Sequence, residues 1–231
     1  MTSMARGAAT SGSWQAQDVL IEPVGLAGQL NLASPSRGLV LFAHGAGSSR
    51  LSPRNTHVAA ALSEAGLSTL LFDLLTLKEA DDRANVFDID LLTERLMLAT
   101  SWAQRQDSAG RSAIGYFGAS TGAAAALRAA ADMAGAVHAV VSRGGRPDLA
   151  YDALARVRAP TLLIVGGRDY GVIELNRRAF EKLNCQKQLT VIEGATHLFE
   201  EPGTLDAVVD AAKDWFLRYL TAGVGSDGET R

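Results

Sequence analysis

Cysteine is nearly absent from this sequence: Cys185 is the one cysteine among 231 residues. A lone cysteine excludes an intramolecular disulfide and any metal cluster held by several thiolates. The composition therefore gives no sign of an oxidising compartment, where small proteins rely on disulfides.

Charge of one sign and long apolar runs are lacking as well. The net charge is −3, so the chain offers no electrostatic attraction for nucleic acid or for an anionic membrane. No segment approaches the roughly 18–20 apolar residues of a membrane-spanning helix, and residues 1–16 contain no apolar core of signal-peptide length. We therefore expect a cytoplasmic protein with no nucleic-acid partner and no membrane partner.

What the sequence does contain is enough apolar material for one core. Hydrophobic residues make up 47% of the chain, and this length is typical of one domain. We expect that domain to span residues 17–221. Residues 1–16 and 222–231 are rich in small and polar residues, which predicts disordered tails.

From residue 38 onward, apolar runs typical of buried strands alternate with segments of helical periodicity. An antiparallel pair over 18–23 and 26–32 precedes them, and the charged segment 78–83 is expected to be a loop. The pattern predicts an α/β fold: a doubly wound, mostly parallel sheet of about eight strands with helices on both faces. The apolar residues of the last predicted helix, 205–220, either only cover this sheet or also leave a stripe for a homodimer.

The segment 114–122 is the most informative stretch of the chain. An apolar run leads directly into Gly-x-Ser-x-Gly, Gly118 to Gly122, and an alanine-rich helical sequence follows. This is the context of a nucleophile elbow, a sharp strand-to-helix turn that strains the serine backbone and favours glycine two residues to either side. The pattern predicts Ser120 as a nucleophile at the carboxyl edge of the sheet; the alternative is a glycine-rich helix N-cap without chemistry.

A serine nucleophile needs a base, and the base needs an acid that fixes its tautomer. Of the four histidines, only His197 lies in a loop after a predicted strand and downstream of Ser120. It is the candidate base, and the alternative is a loop histidine that caps the last helix. Asp169 ends the preceding predicted strand and is the candidate acid, unless it only pairs with Arg168. Asp148 and Asp152 are rivals that lie one predicted strand earlier, and Asp73 ends a strand upstream of the serine and fits the chain order poorly.

An oxyanion formed by attack on an acyl carbon requires two fixed hydrogen-bond donors. The backbone amide of Thr121, at the start of the helix, is one candidate. The second is expected from the glycine-rich loop 44–49, with Ala46 as first choice and Gly47 as the alternative. The same glycines suit a phosphate-binding loop, but no Gly-Lys-Ser/Thr follows and the dinucleotide-binding spacing is absent.

These segments, in this order, resemble the α/β-hydrolase superfamily, and most closely its dienelactone hydrolase-like group of small esterases. The resemblance covers about residues 18–220 and rests on four motifs: His44 to Gly47, Gly118 to Gly122, Gly167 to Asp169, and Gly194 to His197. It implies Ser120 as nucleophile, His197 as base and Asp169 as orienting acid, with no cofactor and no metal. Dienelactone hydrolases carry cysteine at the nucleophile position, so Ser120 favours a general carboxylesterase.

Two features bear on the substrate. The connection 143–159 has room for one short helix at most, which excludes a large lid domain and favours small soluble esters. Arg143 and Arg146 leave a predicted strand at the edge that carries the triad, where guanidinium groups suit a substrate carboxylate. Alternatively, they pair with Asp148, Asp152 or the acids of 79–82. Acyl transfer, thioester or amide cleavage, and a non-catalytic binding role remain alternatives to ester hydrolysis.

Overall fold

The computed structural model of the protein describes residues 13–106 and 112–220. Strands and helices alternate through most of this part of the chain. The strands are β1 (Ser13–Ile21), β2 (Leu26–Ser34), β3 (Leu39–Ala43), β4 (Ser68–Phe72), β5 (Ile114–Ala119), β6 (Val137–Arg143), β7 (Thr161–Gly166) and β8 (Lys187–Ile192). The helices are α1 (Pro53–Glu64), α2 (Leu77–Ala80), α3 (Arg83–Phe87), α4 (Ile89–Gln104), α5 (Thr121–Asp132), α6 (Tyr170–Lys182) and α7 (Thr204–Leu220).

The strands form one eight-stranded sheet in the order β1-β2-β4-β3-β5-β6-β7-β8. The pairs β1–β2 and β2–β4 are antiparallel, and the other pairs are parallel. Strands β3, β4, β5 and β7 are buried along their whole length, as expected for strands covered on both faces. The predicted α/β doubly wound, mostly parallel sheet is confirmed.

Two apolar cores lie on opposite faces of the sheet. One contains buried residues of α4 and α5 together with Ala179 of α6. The other contains buried residues of α1 and α7. Between β6 and β7 lie only two short 3₁₀ helices, Pro147–Ala150 and Leu154–Arg156, so no large lid is inserted there.

The apolar stripe of α7 is used inside the chain. Its members are buried in the core on the α1 face: Val208, Val209, Ala212, Trp215, Phe216 and Leu220. The stripe of the helix therefore covers the sheet, and a homodimer stays a prediction. In the described part of the chain, no helix combines the length and the apolar character needed to cross a bilayer.

Two local expectations are corrected. The composition predicts a disordered tail that includes residues 13–16, but these residues belong to β1, whose register with β2 runs from Ser13 opposite Ser34 to Ile21 opposite Leu26. The rest of both predicted tails lies outside the described residues. The segment 78–83 is not only a loop: Thr76 and Glu79 form a capping box at the start of α2, and the Asp82 side chain caps α3. Local side-chain caps thus stabilise short helices that apolar periodicity does not reveal.

The parallel strands bring the predicted functional segments to one edge. The loop 44–49 follows β3, Ser120 follows β5, and Arg143 ends β6. Asp169 and His197 lie just beyond the ends of β7 and β8. Because parallel strands end at the same edge of a sheet, residues far apart in sequence meet there.

Candidate active site

Ser120 lies on a strained turn between β5 and α5. Its backbone φ is 51°, in the left-handed region that non-glycine residues rarely adopt. Backbone hydrogen bonds hold this conformation: the Ser120 amide donates to the Arg143 carbonyl at 3.2 Å, and the Ser120 carbonyl accepts from the amides of Ala123 and Arg146 at 3.1 Å each. Ser120 precedes the first residue of α5, but its side chain makes no capping hydrogen bond. The helix-cap alternative therefore does not describe this serine.

Only glycine fits at the two positions that flank the serine, 118 and 122, because a side chain there would collide with backbone atoms. A Cβ atom on Gly122 would lie 2.2 Å from the Ala43 carbonyl oxygen, and one on Gly118 would lie 2.5 Å from the Cα of Ala123. Both contacts are far shorter than real Cβ contacts and both involve backbone, which cannot move aside easily. The glycines let β5, α5 and the end of β3 approach closely enough to form the turn.

His197 and Asp169 are joined directly. His197 Nδ1 lies 2.6 Å from Asp169 Oδ2, and the carboxylate is the more buried partner, with 17% of its side chain exposed against 38% for the imidazole. In this arrangement Nδ1 carries a proton and donates a hydrogen bond to the carboxylate, which leaves Nε2 as the basic nitrogen. Asp169 therefore contacts the imidazole rather than Arg168.

The other candidate acids are engaged elsewhere. Each forms an ion pair with an arginine: Asp73 with Arg50, Asp148 with Arg146, and Asp152 with Arg128. The geometry thus favours Asp169 over every rival that the sequence left open.

Glycines also shape the loop that carries His197. A Cβ atom on Gly166 would lie 2.5 Å from the carbonyl oxygens of Ala195 and Thr196, and one on Gly144 would lie 3.5 Å from His197 Nδ1. The ends of β6 and β7 can therefore support the histidine loop at close range. This packing positions the backbone of the loop that carries His197.

Ser120 and His197 line the same cavity, of about 180 Å³, together with Ala46 and Arg143. Within the described residues, no hydrogen bond joins the Ser120 hydroxyl to the imidazole. Such contacts are often long in unliganded enzymes and shorten when substrate binds. The structure therefore places Ser120 and His197 in one cavity, with His197 hydrogen-bonded to Asp169.

The comparisons with known proteins bear on this arrangement. The sequence profile described as an alpha/beta hydrolase domain matches residues 36–214, which is most of the chain. The chain belongs to the α/β-hydrolase family.

Individual relatives of this α/β-hydrolase refine the placement. A dienelactone hydrolase from Anabaena variabilis is 52% identical, with a TM-score of 0.87 over 91% of this chain and 99% of that one. Est1E from Butyrivibrio proteoclasticus shares the fold at 17% identity, with a TM-score of 0.74 over 87% of this chain and 98% of that one. The predicted resemblance to dienelactone hydrolase-like proteins is thereby confirmed.

A second kind of relative is longer than this α/β-hydrolase. Two Mycobacterium tuberculosis proteins, provisionally named phosphoribosyl transferases, are 58% identical over 210 residues, which cover 91% of this chain and 47% of theirs. The chain thus spans about half the length of these curated relatives.

The predicted oxyanion donors of the α/β-hydrolase lie side by side, but one of them is occupied. The Ala46 amide donates to the Thr121 hydroxyl oxygen at 2.9 Å. Thr121 is the first residue of α5, where backbone N–H groups have no acceptor within the helix. The Thr121 amide is therefore free for a ligand, whereas the Ala46 amide is available only after the Thr121 side chain rotates.

His44 holds the loop that carries Ala46. Its Nε2 accepts a hydrogen bond from the Leu74 amide at 3.1 Å, and its Nδ1 lies 3.1 Å from the Gly45 carbonyl. An accepting Nε2 makes Nδ1 the protonated nitrogen, so the ring is neutral. Burial lowers its pKa below the usual 6.5, against smaller opposing effects of the Gly45 carbonyl and Asp73. His44 is a structural link between the loops after β3 and β4.

The two candidate substrate arginines differ. Arg146 forms a two-pronged ion pair with Asp148, at 2.8 and 2.7 Å, and it does not line the Ser120 cavity. The structure therefore favours the alternative for Arg146, an ion pair with Asp148, over an interaction with substrate. Arg143 does line the cavity and is 7% exposed.

The sequence analysis did not predict that the first turn of α1 lines the Ser120 cavity. Arg54 and Asn55 line the Ser120 cavity, as does Ser52, which caps the helix through its side chain. A usable signal was present, because Ser-Pro at 52–53 marks a helix start just after the loop 44–49. A helix that begins there starts at the carboxyl edge of the sheet.

A second, apolar cavity adjoins the first. It measures about 280 Å³ and lies behind the loop 44–49, between that loop and residues of 73–92. Its apolar walls are Leu74, Leu75, Leu77, Val86 and Leu92. Both cavities touch Gly45, Ala46 and Ser48. In the part of the chain that the structure describes, no group of three or more histidine, cysteine or acidic side chains could hold a metal ion.

Proposed function

We propose that this protein is a serine hydrolase that cleaves small carboxylic esters. The observation that carries the proposal is Ser120 on a strained elbow, in one cavity with an imidazole held by Asp169 at 2.6 Å. Strained serine backbone at a sheet edge has a cost of about 1–3 kcal/mol, and this cost is expected where an exposed nucleophile is required.

The reaction follows from the placement of the groups. His197 Nε2 removes the hydroxyl proton as Ser120 Oγ attacks the acyl carbon, and Asp169 stabilises the imidazolium that forms. The tetrahedral oxyanion accepts from the Thr121 amide and, after the threonine hydroxyl turns away, from the Ala46 amide. His197 then gives its proton to the departing alkoxide, which leaves as the alcohol. Water, deprotonated by His197, hydrolyses the acyl-enzyme and restores Ser120.

The cavities favour a small substrate. The 280 Å³ apolar cavity behind the loop 44–49 adjoins the 180 Å³ cavity at Ser120, and its apolar walls suit a short acyl chain. No lid segment lies between β6 and β7 to cover a long acyl chain. The proposed substrates are therefore short-chain esters, and the proposed reaction requires no cofactor.

A series of 4-nitrophenyl esters from acetate to dodecanoate tests this proposal. We expect kcat/KM to be highest for acyl chains of two to four carbons and to fall roughly tenfold or more for dodecanoate. Ser120→Ala serves as the background control. Turnover no faster than that of Ser120→Ala for every ester would contradict ester hydrolysis.

The Thr121 hydroxyl gives a separate prediction about the oxyanion site. Because this hydroxyl occupies the Ala46 amide, its removal in Thr121→Ala should change kcat by less than about tenfold. Loss of a true oxyanion donor costs about 10²- to 10³-fold in kcat. Thr121→Ser is the matched control, since it keeps the hydroxyl. A fall of 100-fold or more in Thr121→Ala alone would show that the hydroxyl itself stabilises the oxyanion.

The longer Mycobacterium tuberculosis relatives raise the question of whether this chain also carries out phosphoribosyl transfer, the activity in their names. This chain matches 47% of each of those proteins, and we propose that the matched half supplies hydrolase chemistry while the remainder supplies the named transfer. Incubation of this chain with phosphoribosyl pyrophosphate and free bases tests the division. Transfer by this chain alone would contradict it.

A further inference from the structure

Arg143 is a buried cation without an acceptor. It is 7% exposed, and its Nε is buried with no hydrogen-bond partner. Within residues 13–106 and 112–220, no side chain forms an ion pair with its guanidinium. The contact that the group does make is with the Phe199 ring, 5.7 Å from the guanidinium carbon to the ring centroid. Burial of an uncompensated charge is costly, so a compensating group is expected.

The position of Arg143 points to the substrate as that group. Arg143 is the last residue of β6, and its carbonyl accepts the hydrogen bond from the Ser120 amide at 3.2 Å. Its side chain lines the cavity that also holds Ser120 and His197. A ligand group that neutralises Arg143 would thus lie beside the nucleophile.

Other groups in the cavity reinforce the positive potential. Arg54 also lines the cavity; one of its terminal nitrogens pairs with Glu200 at 2.9 Å, and its Nε is buried and unpaired. Burial first, and repulsion by Arg54 second, lower the pKa of Arg143 to about 10, so the group remains charged at neutral pH. None of the residues that line this cavity is acidic.

We propose that Arg143, assisted by Arg54, forms a subsite for an anionic group of the substrate, a carboxylate or a phosphate, beside Ser120. The inference rests on the proposed hydrolase function and narrows its substrate to esters that carry a negative charge close to the scissile bond. The planar guanidinium fork matches both oxyanions in shape.

Kinetic discrimination is the first test. Monomethyl succinate and methyl butyrate have acyl chains of equal length, and only the first carries a carboxylate. We expect wild-type protein to prefer monomethyl succinate and Arg143→Met to lower that preference, the ratio of the two kcat/KM values, by about 10- to 100-fold. Arg146→Gln is the matched control, because that arginine is already paired with Asp148. A ratio unchanged in Arg143→Met would overturn the subsite.

Binding to Ser120→Ala, measured by calorimetry, tests the subsite without turnover. We expect monomethyl succinate or inorganic phosphate to bind, and Arg143→Met in the same background to weaken that binding about 10- to 100-fold. Tighter binding of phosphate than of the half-ester assigns the anion as phosphate, and the reverse assigns carboxylate. Binding without turnover by wild-type protein would refute the hydrolase function and leave the subsite standing. A ligand concentration of roughly 10 mM reveals even weak, millimolar binding. Absence of binding of both anions at that concentration would overturn the subsite.

Stability separates ligand binding from a purely structural role. If Arg143 serves a ligand, Arg143→Met removes an uncompensated charge, and its Tm should equal or exceed that of the wild type. A lower Tm with weakened binding of neutral and charged esters alike would assign Arg143 to the fold.

If Arg143→Met does not fold, anion binding is measured with Arg54→Gln instead, a substitution at a site with 31% of its side chain exposed. Unchanged anion affinity in Arg54→Gln would then overturn the proposal.

Discussion

Replacement of Ser120 with alanine is expected to lower kcat for a short-chain ester by about 10⁴- to 10⁶-fold, without loss of the fold. The size of the effect follows from covalent catalysis, because removal of the nucleophile from other serine hydrolases leaves only binding and the oxyanion donors. The fold is expected to survive, since the Ser120 side chain caps no helix and alanine keeps the Cβ atom. Steady-state kinetics and thermal unfolding of the same preparation give both quantities.

Ser101→Ala is the control for this result. Ser101 lies on α4, where its hydroxyl donates to the Met97 carbonyl at 3.0 Å, and it does not line the Ser120 cavity. We expect wild-type turnover from it. Residual activity of Ser120→Ala within about tenfold of wild type would place the nucleophile elsewhere and remove the basis of the proposed mechanism.

Gly122→Ala is expected to produce the largest loss of stability from a single methyl group. The new Cβ would lie 2.2 Å from the Ala43 carbonyl oxygen and 2.4 Å from that of His44. Both atoms are backbone at the end of β3, so relief requires a shift of the strand or of α5. Overpacking of this kind costs about 1–3 kcal/mol and occasionally more. We expect a free energy of unfolding lower by about 3 kcal/mol, or failure to fold, as measured by denaturant titration.

Gly171→Ala is the matched control for that substitution. Gly171 also lies in the first turn of a helix, α6, and a Cβ there meets nothing within 4 Å. Alanine at such a site should raise the free energy of unfolding by about 0.4–1 kcal/mol, because it restricts the unfolded chain. Equal stability of Gly122→Ala and wild type would mean that β3 and α5 do not approach as closely as the elbow requires.

The sequence contained most of what places Ser120, His197 and Asp169 at one edge of the sheet. Ser120 was identifiable because the elbow imposes a local pattern, glycine at 118 and 122 between an apolar strand and a helix. His197 and Asp169 were identifiable because parallel strands deliver successive loops to one edge, so chain order translates into proximity. The structure joins those two side chains at 2.6 Å.

Other parts of the site depend on side-chain partners that the sequence pattern does not specify. Arg143 and Arg146 look alike in sequence, yet Arg146 pairs with Asp148 while Arg143 is buried in the cavity. Likewise, the occupation of the Ala46 amide by the Thr121 hydroxyl joins residues on two separate loops. Such choices are made by packing at the sheet edge and not by periodicity.

Reaction with a fluorophosphonate, followed by peptide mapping with mass spectrometry, tests the central claim most directly. This reagent forms a covalent bond with a serine only when the serine is activated by a neighbouring base. The proposed mechanism predicts one adduct, on Ser120, that is lost in Ser120→Ala and strongly slowed in His197→Ala. Absence of label on folded wild-type protein, or label on another serine, would contradict the assignment of Ser120, His197 and Asp169 as a catalytic triad.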